Sequence, residues 1–247
     1  VTRFNIDGYR VDTAKHVNPE FWNVFIPKVL ATAKAAGKKQ FPIYGEVADS
    51  DPRTLSTFMK EQSFNSVLDF GFQSAVSRFV VTGNGLDGLV NLFNADDMYT
   101  SASTSAYSLA TFLGNHDMGR IGQFISDSNS DDGEAAARAA LANALLFTLR
   151  GAPVLYYGDE KGMTGAGGDQ LARQDFFPTL LPAWQSERRL AGSPIGTASA
   201  FDVTNPLEKQ VSALSALRKS EPALARGGQQ IRYAREGLFA FSRYLNG

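Results

Sequence analysis

The sequence has no cysteine among its 247 residues, which excludes disulfides, thiolate metal sites and cysteine nucleophiles. It also lacks any apolar run near the roughly 18 residues that a membrane-spanning helix needs, so no membrane segment is expected. Neither sign of charge dominates, because 24 Lys and Arg stand against 25 Asp and Glu. No basic stripe stands out, so we expect no nucleic-acid partner, and a neutral substrate fits better.

The chain begins at Val1 and enters strand-like sequence at once. We interpret this start as a cut within a longer protein, so a signal peptide would lie upstream of it. The length allows one large domain, or a domain with a piece of another. The apolar content of 43% is enough for a sizeable core.

Short apolar strands alternate with helical segments along most of the chain. This rhythm predicts an α/β fold with a parallel sheet, either doubly wound or closed into a barrel. The predicted strands are residues 5–12, 41–44, 67–70, 109–113 and 154–157. Two predicted helices begin at Pro19 and at Pro52. Helical sequence also follows the third strand as far as Phe93, and two further helices are predicted at 134–149 and 206–219. Residues 229–245 alternate as a hairpin with its turn at Glu236-Gly237, which predicts an antiparallel C-terminal domain that starts at residue 229 and includes 229–247.

Acidic residues follow the predicted strands at the points where the strands end. Asp12, Glu46 and Asp117 follow the first, second and fourth strands, and Asp159-Glu160 follows the fifth. One acidic residue after a strand is most often a helix N-cap, but repetition at four strand ends favours a shared site. Active sites of barrels gather at the C-terminal ends of the strands, so we expect these side chains to converge on one cleft.

Asp12 and Glu46 follow neighbouring strands, which lie about 4.8 Å apart in a sheet. Two carboxyls separated by roughly 5 to 5.5 Å suit a retaining glycosidase. Arg10 shares the inward face with Asp12 and should keep it ionised and nucleophilic; a buried structural ion pair is the competing interpretation. Glu46 has no obvious cationic neighbour, so we expect nearby negative charge to keep it protonated as the acid.

Four segments resemble motifs of the α-amylase family of glycoside hydrolases, in the family's order and spacing. Residues 8–16 (GYRVDTAKH) are similar to the motif of barrel strand four, 44–47 (YGEV) to that of strand five, 112–117 (FLGNHD) to that of strand seven, and 151–160 (GAPVLYYGDE) to that of strand eight. The resemblance runs from Val1 to about Leu224 and selects the barrel. It implies that residues 1–228 are strands four to eight of a TIM (β/α)8 barrel, followed by the start of the antiparallel β domain.

The same resemblance implies a role for each matching residue. Asp12 would be the nucleophile, Glu46 the general acid/base, and Asp117 the residue that stabilises the transition state. Arg10 would orient Asp12, and His116 would hydrogen-bond the same sugar as Asp117.

Lys15 and His16 would line the leaving-group side of the site, although solvated surface residues are the alternative for both. In calcium-dependent members of the family, the backbone carbonyl at the His16 position helps to hold a structural calcium. Calcium is therefore expected as a structural cofactor. Further candidates for substrate contact lie on the rim after strand eight: Arg173, Asp175, Phe176, Phe177 and Trp184.

The implied activity is retaining hydrolysis of internal α-1,4-glucosidic bonds in starch, glycogen or maltodextrins by a secreted or periplasmic enzyme. Glucanotransferases, debranching enzymes and α-glucosidases of the family share the same carboxylates and stay open as alternatives. A non-catalytic carbohydrate-binding homologue is a different class, whose mark would be the loss of a catalytic carboxylate. The family's strand-three motif is not found in the sequence, so we expect this piece alone to be inactive. The oligomeric state is left open.

Overall fold

The computed structural model describes residues 1–129 and 131–245. In this part of the chain, five short strands form the wall that carries the predicted site: β1 (Tyr9–Val11), β2 (Ile43–Gly45), β3 (Ser66–Val67), β4 (Ala110–Thr111) and β5 (Ala152–Pro153). β1, β2 and β3 pair in parallel, as do β4 and β5, and a parallel bridge from Leu68 to Ala110 joins the two groups. The strands therefore follow one another across the wall in chain order, as in a TIM barrel. The predicted α/β class, with strands four to eight of a barrel, is confirmed.

Helices connect the strands and cover one side of the wall. Their bounds are α1 (Pro19–Ala35), α2 (Pro52–Lys60), α3 (Phe70–Thr82), α4 (Leu86–Asn94), α5 (Ile121–Ser128), α6 (Asp132–Thr148), α7 (Pro182–Gln185), α8 (Pro206–Ser220) and α9 (Pro222–Arg226). Several begin with proline, whose missing N–H costs nothing in the first turn. Aspartates cap others, since Asp51 accepts from the N–H of Arg53 and Asp131 from that of Glu134.

Two apolar clusters hold these helices on the strands. One joins Trp22 and Ile26 of α1 to Ile43 and Val67 of the wall, and the other is centred on α3, α5 and α6. The indole N–H of Trp22 also donates to the carbonyl of Ala14 at 3.1 Å. The packing of α1 therefore fixes the turn that directly follows Asp12.

Gly45 at the end of β2 lets the turn after Asp12 approach the β2 backbone closely. A Cβ at this position would lie 2.9 Å from the Phe64 ring and 3.1 Å from the Cβ of Ala14. Such contacts are too short for a side chain, so glycine directly before Glu46 is a packing requirement.

All five predicted strands differ from the observed ones in their bounds, and the first begins at Tyr9 rather than at residue 5. The strand predicted at 67–70 ends early, because the Asp69 side chain accepts from the N–H of Phe72 and starts α3 at Phe70. The strand predicted at 154–157 is replaced by β5 at 152–153, after which the chain turns toward a short 3-10 helix, Asp159–Lys161. Helix α5 was not predicted.

The C-terminal part of the chain forms the predicted hairpin from β6 (Gly228–Arg235) and β7 (Leu238–Tyr244). Its turn is Glu236-Gly237, with positive φ values of 55° and 75°, as tight hairpin turns of this kind require. Hairpin and turn are confirmed. The division into domains at 228 and 229 stays a prediction, and residues 246–247 lie outside the described residues.

One charged cluster is buried between the wall and its helices. Arg150, which is 0% exposed, directly precedes the β5 region. Its Nη1 lies 2.5 Å from Asp69 Oδ2, and its Nε donates to Asp96 Oδ1 at 2.9 Å. Since Asp69 also caps α3, this cluster ties the start of that helix to the segment that enters β5.

We predict that Arg150→Met destabilises the fold, because it removes the only cation that is paired with the buried carboxylate of Asp69 among the described residues. The expected loss in the free energy of unfolding is about 3 to 5 kcal/mol, measured by urea denaturation. The control is Arg53→Met, since Arg53 pairs with Asp51 on the surface with 80% of its side chain exposed, and its loss should stay below about 1 kcal/mol. Equal losses in the two variants would contradict the assignment.

Candidate active site

Asp12 and Glu46 lie side by side at the same end of two neighbouring strands. The register of β1 and β2 pairs Val11 with Gly45, and the N–H of Glu46 donates to the Val11 carbonyl at 2.8 Å. Their surroundings differ, because the Asp12 side chain is 65% exposed and that of Glu46 only 11%. One carboxylate is therefore open to an incoming molecule, and the other is held within the protein.

The guanidinium of Arg10 contacts both carboxylates. Its Nη1 pairs with Asp12 Oδ1, and its Nη2 lies 2.9 Å from Glu46 Oε1. The expectation that Glu46 lacks a cationic neighbour was wrong. Arg10 is remote from Glu46 in sequence, but its two-pronged group is wide enough to reach an acid on the adjacent strand.

The charge of Arg10 acts on the titration of Asp12. The hydrogen bond from Arg10 lowers the pKa of Asp12 below its usual value, against a smaller opposing effect of burial. A hydrogen bond with Glu46 and the charge of His116 act in the same direction. As expected, Arg10 favours the ionised form of Asp12, which is the form that a nucleophile needs.

The turn after β1 holds the second oxygen of Glu46. Thr13 has a left-handed backbone, with φ of 46°, and its N–H donates to Glu46 Oε2 at 3.1 Å. The next N–H, of Ala14, donates to the carbonyl of Glu46 at 3.0 Å. Both carboxylate oxygens of Glu46 therefore have fixed partners, one in Arg10 and one in this turn.

Asp117 lies on a tight loop that follows β4. Asn115 closes the loop, because its Oδ1 accepts from the N–H groups of Asp117 at 3.0 Å and Met118 at 2.8 Å. His116 Nε2 lies 3.2 Å from Asp117 Oδ1. The charge of His116 also lowers the pKa of Asp12, as expected for a loop that faces the site formed by β1 and β2.

The segment after β5, which contains the predicted rim residues, contacts the same loop. The N–H of Gly168 donates to the Asp117 carbonyl at 3.0 Å, and the next residue, Asp169, pairs with Arg173. The hydrogen bond from Arg173 lowers the pKa of Asp169. Arg173 was a predicted rim residue, whereas Asp169 was missed. The spacing of four residues from Arg173 gave no signal, because that rule applies to helices and this segment is not helical.

Within the part of the chain that the structure describes, one group of side chains could bring three metal ligands together. The ligand atoms of His116, Asp117 and Asp169 lie within 4.8 Å of one another. Calcium prefers six to eight oxygen ligands, whereas this group includes a histidine, and Asp169 is already paired with Arg173. The group does not match a calcium site, and it does not include His16.

Lys15 and His16 follow Asp12 on a short 3-10 helix, Ala14–His16. Lys15 Nζ lies 2.8 Å from Asp49 Oδ2, across the segment that follows Glu46. His16 is exposed at the end of the helix. Lys15 thus borders the cleft on the Glu46 side, and the roles of both residues stay predictions.

The other rim candidates form a surface apart from Arg173. Phe176 packs between Tyr157 and Phe201, with ring centroids 5.8 and 5.0 Å away, and Phe177 contacts Phe201 from the exposed side. Trp184, Asp175 and Phe177 line a small cavity. Substrate contact by these residues stays a prediction.

Comparisons with known proteins agree with this arrangement. Residues 1–187 match the family described as alpha amylase, catalytic domain. An α-amylase of Streptomyces lividans is 42% identical over 247 residues, covering 98% of this chain and 27% of the relative. A cyclomaltodextrin glucanotransferase of Niallia circulans is 28% identical over 244 residues, covering 96% of the chain and 28% of that enzyme.

A crystal structure of an Anoxybacillus α-amylase superposes with a TM-score of 0.77 at 28% identity, covering 98% of this chain and 46% of that one. The chain thus spans about a quarter of the length of the Streptomyces relative and under half of the solved structure. No described helix is both long and apolar enough to cross a bilayer. On the family match over residues 1–187, together with the 42% identity, this chain belongs to the α-amylase catalytic-domain family of glycoside hydrolases.

Proposed function

We propose that this chain carries the catalytic carboxylates of a retaining enzyme that hydrolyses internal α-1,4-glucosidic bonds in starch, glycogen or maltodextrins. The observation that carries the proposal is the pair of carboxylates on adjacent strands, bridged by one arginine. Such a pair can attack a sugar and protonate its leaving group from opposite sides. Because long glucans do not cross membranes, we also propose a secreted or periplasmic location.

In the first step, an oxygen of Asp12 forms a bond to the anomeric carbon, and the glycosidic bond breaks. Its electron pair stays on the leaving oxygen, which takes the proton of Glu46. In the second step, the Glu46 carboxylate accepts a proton from water, the water oxygen bonds to the anomeric carbon, and Asp12 leaves. Arg10 stabilises the ionised form of Asp12, and together with the Thr13 N–H it holds Glu46 in place.

Asp117 and His116 supply polar groups for the sugar at the reaction centre. An open groove of about 530 Å³ is lined by residues 48–50, which follow Glu46 along the chain, and by Met118, which follows Asp117. Its position suits the leaving-group side of a glucan, and Lys15 borders it through the contact with Asp49.

A glucanotransferase is the second candidate, favoured by the similarity to the Niallia circulans enzyme. The same glycosyl-enzyme serves both reactions, because only the acceptor differs. Product analysis separates them, since hydrolysis releases new reducing ends in step with bond cleavage, whereas transfer gives cyclic or lengthened glucans without them.

Calcium is proposed as a structural ion of the whole enzyme, with the His16 carbonyl as one ligand. The one cluster of three His, Asp or Glu side chains among the described residues lies elsewhere, so we propose that other parts of the enzyme supply further ligands. No step of the proposed reaction depends on the ion.

We therefore predict that a chelator leaves the melting temperature of the 247-residue chain unchanged, while it lowers that of the enzyme that includes the chain. Differential scanning calorimetry with and without excess chelator measures both. An unchanged melting temperature of the whole enzyme would contradict the calcium site.

We predict that, in the enzyme that includes this chain, Asp12→Asn and Glu46→Gln both abolish starch hydrolysis but differ with an activated substrate. α-Glucosyl fluoride needs no protonation of its leaving group, so Glu46→Gln should still form the glycosyl-enzyme. Hydrolysis of this intermediate lacks its base, so an adduct of one glucosyl unit should accumulate at Asp12 and be visible by intact-protein mass spectrometry. Azide, which needs no base, should restore turnover in this variant only.

Asp7→Asn is the matched control. Asp7 lies two residues before β1, has 83% of its side chain exposed and pairs with Lys38. Its activity should equal that of the wild type. An adduct on Glu46, or full activity of the Asp12→Asn enzyme, would overturn the assignment of roles.

Arg10→Met should move the pH dependence of kcat/KM. Without Arg10 the pKa of Asp12 rises, so the loss of activity on acidification should begin at a higher pH than in the wild type. We also expect kcat/KM to fall about 100-fold or more, because a positioned charge acts on the reacting group. A pH–rate profile measures both effects, with Arg53→Met as the control. An unchanged acid limb would show that Arg10 does not control Asp12.

A further inference from the structure

Arg120 follows the Asp117 loop and has a guanidinium group buried among polar partners. The residue is 0% exposed. Its Nε donates to Gln174 Oε1 at 2.9 Å, its Nη1 to Asp159 Oδ1 at 2.9 Å and its Nη2 to the Ala172 carbonyl at 3.1 Å. The Tyr156 and Tyr157 rings lie 4.5 and 5.0 Å from its central carbon. The side chain is therefore held on every side.

These partners belong to two segments other than that of Arg120. Asp159 follows β5, whereas Ala172 and Gln174 belong to the rim. The backbone of Arg120 adds a fourth link, because its N–H donates to the Gly165 carbonyl of the rim at 2.9 Å. One residue thus joins the loop that carries Asp117 to both the segment after β5 and the rim.

The loop and the rim also touch directly. Gly119 has a positive φ of 99°, and a Cβ there would lie 2.7 Å from the N of Gly167 and 2.9 Å from the Gly165 carbonyl. This close contact places the Asp169–Arg173 pair beside His116 and Asp117. The two segments form adjoining walls of the same cleft.

Burying arginine is expensive, and an apolar side chain of similar volume would fill this space. What arginine supplies is a rigid set of donors aimed in different directions. Burial raises the pKa of its partner Asp159 to about 6, because desolvation disfavours the charged carboxylate. The cluster is thus better suited to fixing geometry than to adding stability.

We propose that Arg120 is a positioning residue, which locks the Asp117 loop (residues 115–119) and the rim segment (residues 165–174) in one relative position so that both face the same sugar. The catalytic consequence rests on the proposed function, whereas the coupling of the two segments does not.

The test compares Arg120→Lys and Arg120→Met with a matched control, Arg150→Lys. Arg150 is likewise 0% exposed and paired with aspartates, but its partners Asp69 and Asp96 lie outside both the Asp117 loop and the rim segment. All variants are made in the enzyme that includes this chain. Hydrogen exchange followed by mass spectrometry reports the two segments, and kcat and KM on maltodextrin report the reaction, both at a temperature at which every variant is folded. Gln174→Met removes the rim acceptor of Arg120 Nε. This variant replaces Arg120→Met in the comparison if Arg120→Met does not fold.

We expect both segments to exchange at least about tenfold faster in Arg120→Met and in Gln174→Met, with partial recovery in Arg120→Lys. KM should rise and kcat should fall, because a small misplacement near the reaction centre can cost up to about 100-fold in rate. In Arg150→Lys, exchange in these two segments and KM should match the wild type.

Unchanged exchange in the two segments, or equal acceleration in Arg150→Lys, would overturn the coupling. Faster exchange with unchanged kcat and KM would overturn the positioning role. A wild-type enzyme without hydrolytic activity would remove the proposed function, and the exchange measurement would still decide whether Arg120 couples the loop and the rim.

Discussion

The contact of Arg10 with Asp12 on its own strand and with Glu46 on the next strand depends on the parallel register of β1 and β2. Side chains alternate between the two faces of a strand, so a shift of one residue would turn Glu46 away from Arg10. The register is supported from outside by α1, through the packing of Trp22, and by Gly45, which admits the turn after Asp12. The contact of Arg10 with both carboxylates therefore depends on the packing of α1 and of Gly45 against the turn after Asp12.

Buried polar groups carry out two different tasks in this fold. Arg150 pairs with Asp69, which caps α3, so it serves the attachment of a helix to the wall. Arg120 donates to two segments at the open end of the wall, where the catalytic groups lie. Because both guanidinium groups are fully buried, their partners rather than their exposure distinguish a structural from a positioning role.

The strand-helix alternation and the carboxylates at strand ends made the class of fold and the pairing of Asp12 with Glu46 predictable from the sequence. The link from Arg10 to Glu46 was not, because it joins residues 36 positions apart through a strand register that local patterns do not reveal. The strand predicted at 154–157 was wrong for a related reason: its apolar run continues beyond the two residues that pair with β4. Asp169 was missed because its importance comes from a loop contact with Asp117.

The central claim is that Asp12 and Glu46 act as the nucleophile and the acid of a double displacement. Proton NMR of the products in the first moments of maltooligosaccharide cleavage tests it most directly, before the anomers interconvert. Two displacements at the anomeric carbon must give a product with the α configuration of the substrate. An initial β product would mean that water attacks directly, and that Asp12 forms no bond to the sugar.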